Sequence, residues 1–135
     1  MANKLELHWY GKEKQIHVEP RVLIERKDLS HSGESTSLFG ESYNDNILIH
    51  GDNLIALKSL VDTHANKIKC IYIDPPYNTG VAFEHYDDNL EHSIWLSLMR
   101  ERLVLLRQLL TDDGTIFVQI DDNEQAYLKV LMDEV

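Results

Sequence analysis

The stretch KIKCIYIDPPYNTG, residues 67 to 80, constrains the fold more than any other part of the chain. Its β-branched and aromatic run predicts a strand, and its nearly continuous apolar character predicts a parallel sheet with both faces covered. Pro75 and Pro76 stop that strand, because proline lacks the N–H a sheet ladder needs and holds φ fixed. Asp74 therefore stands at the strand's carboxyl end, where open parallel sheets bind their ligands.

A parallel strand needs a crossover, and the sequence from residue 46 onward supplies the alternation of βαβ units. NILIHGD (46–52) reads as a strand running into a turn, and NLIALKSLVDTH (53–64) as a helix carrying Leu54, Leu57 and Leu60 or Val61. PPYNTGVAFEHYD (75–87) is too long for a tight connection and reads as a functional loop. Asp88 with Glu91 makes a capping-box start for a long helix through Leu110. Ile94, Leu98, Leu105 and Leu109 form its apolar stripe, Leu103, Val104 and Leu106 widen it, and Arg100, Arg102 and Arg107 extend to water. TDDG (111–114) reads as a turn, TIFVQI (115–120) as a third strand, and DDNEQAYLKVLMDEV (121–135) as another capped helix.

The predicted fold class is α/β, a partial Rossmann-like doubly wound parallel sheet. Three strands fall short of the usual width, which predicts a truncated domain. Residues 1–45 read as an N-terminal arm and flexible linker, the arm with a little strand and with Trp9 and Tyr10 to bury. Residues 46–135 read as a partial catalytic domain.

Composition narrows the function. The formal net charge of −10 has the wrong sign for a surface that grips phosphates, so most of any hold on nucleic acid lies elsewhere. A single cysteine, Cys70, excludes an internal disulfide, fits a reducing compartment and reads as a small buried strand residue. The charged start lacks the apolar stretch of a secretory signal, and no run approaches membrane-spanning length, which predicts a cytoplasmic protein without membrane contact.

The loop carries the chemistry. An amino nitrogen on a nucleobase is a poor nucleophile while its lone pair is delocalised into the ring. It improves when two acceptors hold its hydrogens and let it become tetrahedral. The Asp74 carboxylate supplies one acceptor, and the carbonyl of Pro75, presented by a stiff proline turn, supplies the other. Tyr77 supplies a ring on which an extruded base can stack. Asn78, Thr79 and Gly80 read as a substrate loop or as a simple turn. Asp52 reads as a helix N-cap, a role Asn53 would fill equally. Phe83 and Tyr86 read as packing residues, and Trp95 as core. DDNEQ has the oxygen ligands of a calcium loop, but Ala126 occupies the turn-glycine position, so helix capping is the reading. The seven histidines show no metal-ligand spacing.

DPPYNTG resembles the catalytic motif of the DNA amino-methyltransferases, which methylate adenine N6 or cytosine N4. LELHWYGK, LIHGDNLIALKSL, YDDNLEHSIWLSLMRERL and GTIFVQIDDNEQAYLKVLMDEV are similar to the first part of the group whose catalytic motif precedes its cofactor glycine motif. That group includes modification subunits of type III restriction systems. The resemblance implies S-adenosyl-L-methionine as cofactor, with Asp52, Asn53 and Asp74 facing it. It also implies double-stranded DNA as substrate and a restriction subunit or a second copy as partner. The aspartate form of the motif suggests adenine, with cytosine still open. The six glycines never fall as G-x-G, so the cofactor glycine motif and the target-recognition segment of that group are missing. An alternative expectation is a non-catalytic remnant or subunit piece that acts only by protein association.

Overall fold

The computed structural model describes residues 5–14, 17–30, 46–79 and 91–135. It contains α1 (Asn53–His64), β1 (Ile68–Ile73), α2 (His92–Leu109), β2 (Leu110–Val118) and α3 (Asp122–Glu134). The strands pair in parallel, with Cys70 opposite Thr115, Ile71 opposite Ile116, Tyr72 opposite Phe117 and Ile73 opposite Val118. This is a two-stranded mixed α/β core, with α2 as the crossover helix.

Local chemistry sets the ends of these elements. Asp52 caps α1, its Oδ1 accepting from the backbone N–H of Leu54 at 2.9 Å and of Ile55 at 3.1 Å. After α1, Asn66 adopts φ 54°, a left-handed conformation that asparagine tolerates. Asn66 and Lys67 then donate to the carbonyls of Gln108 and Leu109, which ties the α1–β1 turn to the end of α2. Asp121 caps α3 through Asn123 N–H.

The core lies between one sheet face and the helices. Trp95, Leu96, Met99, Leu103 and Leu106 of α2 meet Leu128 and Leu131 of α3 and Ile71 and Leu110 of the strands. Alternation along the strands sends Ile73, Ile116 and Val118 to the same side. The opposite side stays open, with Tyr72 63% and Phe117 55% exposed.

Several sequence expectations need correction. Cys70 is exposed, because it shares the open face with Tyr72 and Phe117 rather than lying in a sheet covered on both sides. Residues 46–50 form no strand, and Ile47 and Leu48 are exposed; without a ladder partner an apolar run has no reason to stay extended. The expected stripe of α2 holds at Leu105 and Leu109, which are buried, and at Leu98, which is half-buried against the core, but not at Ile94. Ile94 is 52% exposed and its neighbour Trp95 is fully buried, since the indole fills more of the core. The helix begins at His92, Glu91 makes no side-chain cap bond, and Asp88 lies outside the described residues. Arg107 reaches solvent, whereas Arg100 and Arg102 are half-buried. The arm has no strand among the described residues. It attaches through side chains instead: Trp9 Nε1 donates to Ser97 Oγ at 2.8 Å, and Lys12 Nζ pairs with Glu134 at 2.9 Å. Burial disfavours the Lys12 charge, but hydrogen bonds to Glu134 and Glu6 outweigh it and raise the ammonium pKa. The linker expected over residues 27–45 falls mostly outside the described residues.

TDDG is not a turn before the strand but an irregularity within it. Leu110 to Thr115 runs opposite Ile68 to Cys70, so β2 carries extra residues there. Gly114 allows the close approach. A Cβ at this position would lie 2.7 Å from Leu110 Cδ2 and 3.0 Å from the backbone oxygens of Ile68 and Thr111. Gly114→Ala should lower stability by about 1–3 kcal/mol, because the two backbone oxygens cannot move independently of the ladder. Urea denaturation checks this, and an unchanged midpoint would mean that the approach is looser than described.

Candidate active site at the ends of the parallel strands

The ladder continues one step past β1, with Gln119 N–H donating to Ile73 O at 3.0 Å. Asp74 and Gln119 therefore leave adjacent strand ends together. Strand alternation puts both on the open side of the sheet, in line with Tyr72 and Phe117. Asp74 is exposed, and Pro75, Pro76 and Tyr77 are half-buried.

The two proline carbonyls have different fates. Trp95 Nε1 donates to Pro76 O at 2.8 Å, so a fully buried core residue pins the loop from beneath. The Pro75 carbonyl takes no hydrogen bond among the described residues and remains an available acceptor. Asn78 adopts φ 59°, and its Nδ2 donates to Glu124 Oε1 at 2.6 Å. Thr79 is half-buried, and Gly80 lies outside the described residues.

A hydrogen-bond chain crosses the open face. Tyr72 OH donates to Gln119 Oε1, and Gln119 Nε2 donates to the Tyr77 hydroxyl at 2.5 Å. The Tyr77 hydroxyl is held above the ordinary tyrosine pKa, first by its hydrogen bond to the Asp74 carboxylate and then by burial, while Gln119 acts in the opposite direction. Gln119 thus fixes the phenol through a hydrogen bond, and the nearby Asp74 carboxylate favours its protonated form. Sequence reading passed over Gln119, although a polar residue at the outward-facing end of an otherwise apolar strand was a usable signal.

Asp52 and Asn53 stand apart from this constellation, and no hydrogen bond joins them to the Asp74–Tyr77 loop. Both cap bonds of Asp52 fall on Oδ1, which leaves Oδ2 exposed to solvent. Asn53 Oδ1 accepts from Arg102 Nε at 2.8 Å, tying α1 to α2. Among the described residues no three His, Cys, Asp or Glu side chains gather to hold a metal, and no helix is long and apolar enough to cross a membrane.

Comparison with known proteins adds a family to this geometry. The DNA methylase family model matches residues 68–135, from the first residue of β1 through α3, which is half of the chain and includes the whole loop. The chain belongs to the DNA amino-methyltransferases. It is 56% identical, over 67% of its length, to a probable type III restriction-modification Mod subunit, HindVI, of Haemophilus influenzae, and covers 12% of that protein. It is 35% identical to the type III EcoPI Mod subunit of Escherichia phage P1, over 96% of this chain and 24% of that one. It is also 36% identical to the type II methyltransferase M.EcaI of Enterobacter cloacae, over 98% of this chain and 30% of the relative. The chain therefore spans less than a third of these relatives. Asp52 and Asn53 precede the matched segment, whereas Asp74 to Thr79, Gln119 and Glu124 fall inside it.

If the Asp74 carboxylate raises the Tyr77 hydroxyl, Asp74→Asn should bring its titration down toward the ordinary tyrosine range. Phenolate absorbance, with Tyr77→Phe identifying the relevant step, measures this. An unmoved titration would mean that the two side chains do not interact.

Proposed function

We propose that the protein carrying this chain transfers a methyl group to the exocyclic amine of a DNA base, adenine N6, as part of a restriction-modification system. In this reading residues 46–135 are part of the catalytic domain, a doubly wound methyltransferase sheet, and residues 1–45 are an arm and linker. The protein works in the cytoplasm. Double-stranded DNA is its substrate, held mostly by regions other than this acidic chain, and a restriction subunit or a second copy is its partner.

The observation that carries the proposal is the pairing of an exposed Asp74 carboxylate with the unengaged Pro75 carbonyl, one residue apart at the strand end. The target base leaves the duplex and lays its face on the Tyr77 ring, a contact worth roughly 1–3 kcal/mol. Its two amino hydrogens go to Asp74 and to the Pro75 carbonyl, and the nitrogen lone pair is released from the ring. The amine displaces the Tyr77 hydroxyl from Asp74 as it enters, and Gln119 keeps the phenol in place. S-adenosyl-L-methionine supplies the sulfonium-bound methyl group when bound. The chain's acceptors suit it: Asp52 is exposed with Oδ2 outside the cap bonds and fits a hydroxyl donor, Asn53 is exposed, and so is Asp74. The methyl group would pass to that nitrogen, with the sulfonium sulfur keeping the electron pair of the bond it loses. One amino proton is then lost, and Asp74 is placed to receive it.

The open face with Tyr72 and Phe117 favours a second reading, in which the chain acts only by associating with another protein surface. Methyl transfer distinguishes the two. In the complete protein, Asp74→Ala should slow transfer by about 100- to 1000-fold through loss of an acceptor. Tyr77→Ala should slow it by about 10- to 100-fold through loss of stacking. Analysis of the product nucleoside separates adenine from cytosine. Near-normal rates in both variants would remove these residues from the mechanism.

A further inference from the structure

We infer that Glu124 is a positioning residue for the Asp74–Tyr77 loop; the inference rests on the methylation reading of that loop. Glu124 lies in the first turn of α3, where a glutamate three residues past the cap commonly turns back to the cap's own N–H. Here it points inward instead and is fully buried. Its Oε1 accepts from Asn78 Nδ2 at 2.6 Å and lies within hydrogen-bond distance of His92 Nδ1, at 2.7 Å, while Oε2 has no partner among the described residues. The His92 ring also packs against Tyr127 of α3, with centroids 5.1 Å apart.

A buried carboxylate with one oxygen unpaired is a poor way to stabilise a core. It is a good way to fix geometry. A single oxygen atom holds Asn78, the left-handed residue directly after Tyr77, and also His92, the first residue of α2. Three residues further along α2, Trp95 holds the Pro76 carbonyl. Glu124 therefore secures the loop directly behind Tyr77 and secures the helix that carries the loop's other anchor. Removing it takes from Asn78 its bond to α3 and lets the stacking ring drift from Asp74, with little loss of buried apolar contact.

The complete protein tests this through methyl transfer and thermal unfolding measured together. Glu124→Leu should leave the unfolding temperature unchanged or higher while lowering kcat by about 30- to 100-fold, the effect of a small misplacement of reacting groups. Glu124→Gln keeps the Oε1 acceptor and should retain activity within a few-fold of wild type, by the same geometry. Asn78→Ala should reproduce the loss, and the Glu124→Leu, Asn78→Ala double variant should be no slower than either single one. Wild-type kcat in Glu124→Leu, or losses that multiply in the double variant, would overturn the inference. Should Glu124→Leu fail to fold, Glu124→Gln as slow as Asn78→Ala would overturn it equally. The side-chain amide signals of Asn78 in asparagine-labelled protein give a readout independent of activity. They should shift in Glu124→Leu, and no shift would contradict the contact. A wild-type protein that transfers no methyl group would defeat the methylation reading while leaving that amide test intact.

Discussion

The parallel pairing of β1 with β2 is the interaction on which the rest of the site depends. Its register sets Ile73 opposite Val118, and the last rung, from Gln119 N–H to the Ile73 carbonyl, brings two strand ends out side by side. A shift of one residue would turn Asp74 toward the helices and put an apolar side chain at the open edge, because strand side chains alternate between faces. The irregularity at Gly114 absorbs the mismatch at the start of β2, so the register is kept at the strand ends that carry Asp74 and Gln119.

Pairing alone would leave the loop after β1 loose, and the core supplies the rest. Trp95 is fully buried, yet it spends its one polar group on Pro76. The apolar packing of α2 against α3 is thereby coupled to the backbone of the Asp74–Thr79 loop. Gln119 and Glu124 extend the same logic with polar groups, one holding the Tyr77 hydroxyl and the other Asn78. Proline stiffness then has fixed points to act between.

Much of this was legible in the sequence because it is local. Apolar periodicity placed α1, α2 and α3; the β-branched run placed β1; and a strand that stops at D-P-P placed Asp74 at the strand's carboxyl end. The failures share a cause. NILIHGD has strand composition, but a strand exists only with a partner, and pairing is not written in local composition. Cys70 seemed a buried residue because covered faces were assumed, whereas the face carrying it is open. On α2 only Ile94 fell outside the expected face, because the neighbouring indole, read as core, takes the buried position. Gln119 and Glu124 each looked like ordinary members of a strand end and a helix cap. Their importance comes from contacts 42 and 46 residues away in sequence. The DNA amino-methyltransferase motif was visible at once, but the residues that hold it in shape appear only when the chain is folded.

The account turns on a base lying against Tyr77 with its amine between Asp74 and the Pro75 carbonyl. DNA carrying a fluorescent adenine analogue at the target position, bound to the complete protein, reports that contact directly, since stacking on an aromatic ring quenches an extruded base. The account predicts dim fluorescence with wild type and with Tyr77→Phe, and a marked rise with Tyr77→Ala at equal occupancy. Equal fluorescence from all three would mean that the base does not rest on this ring, and would contradict the account.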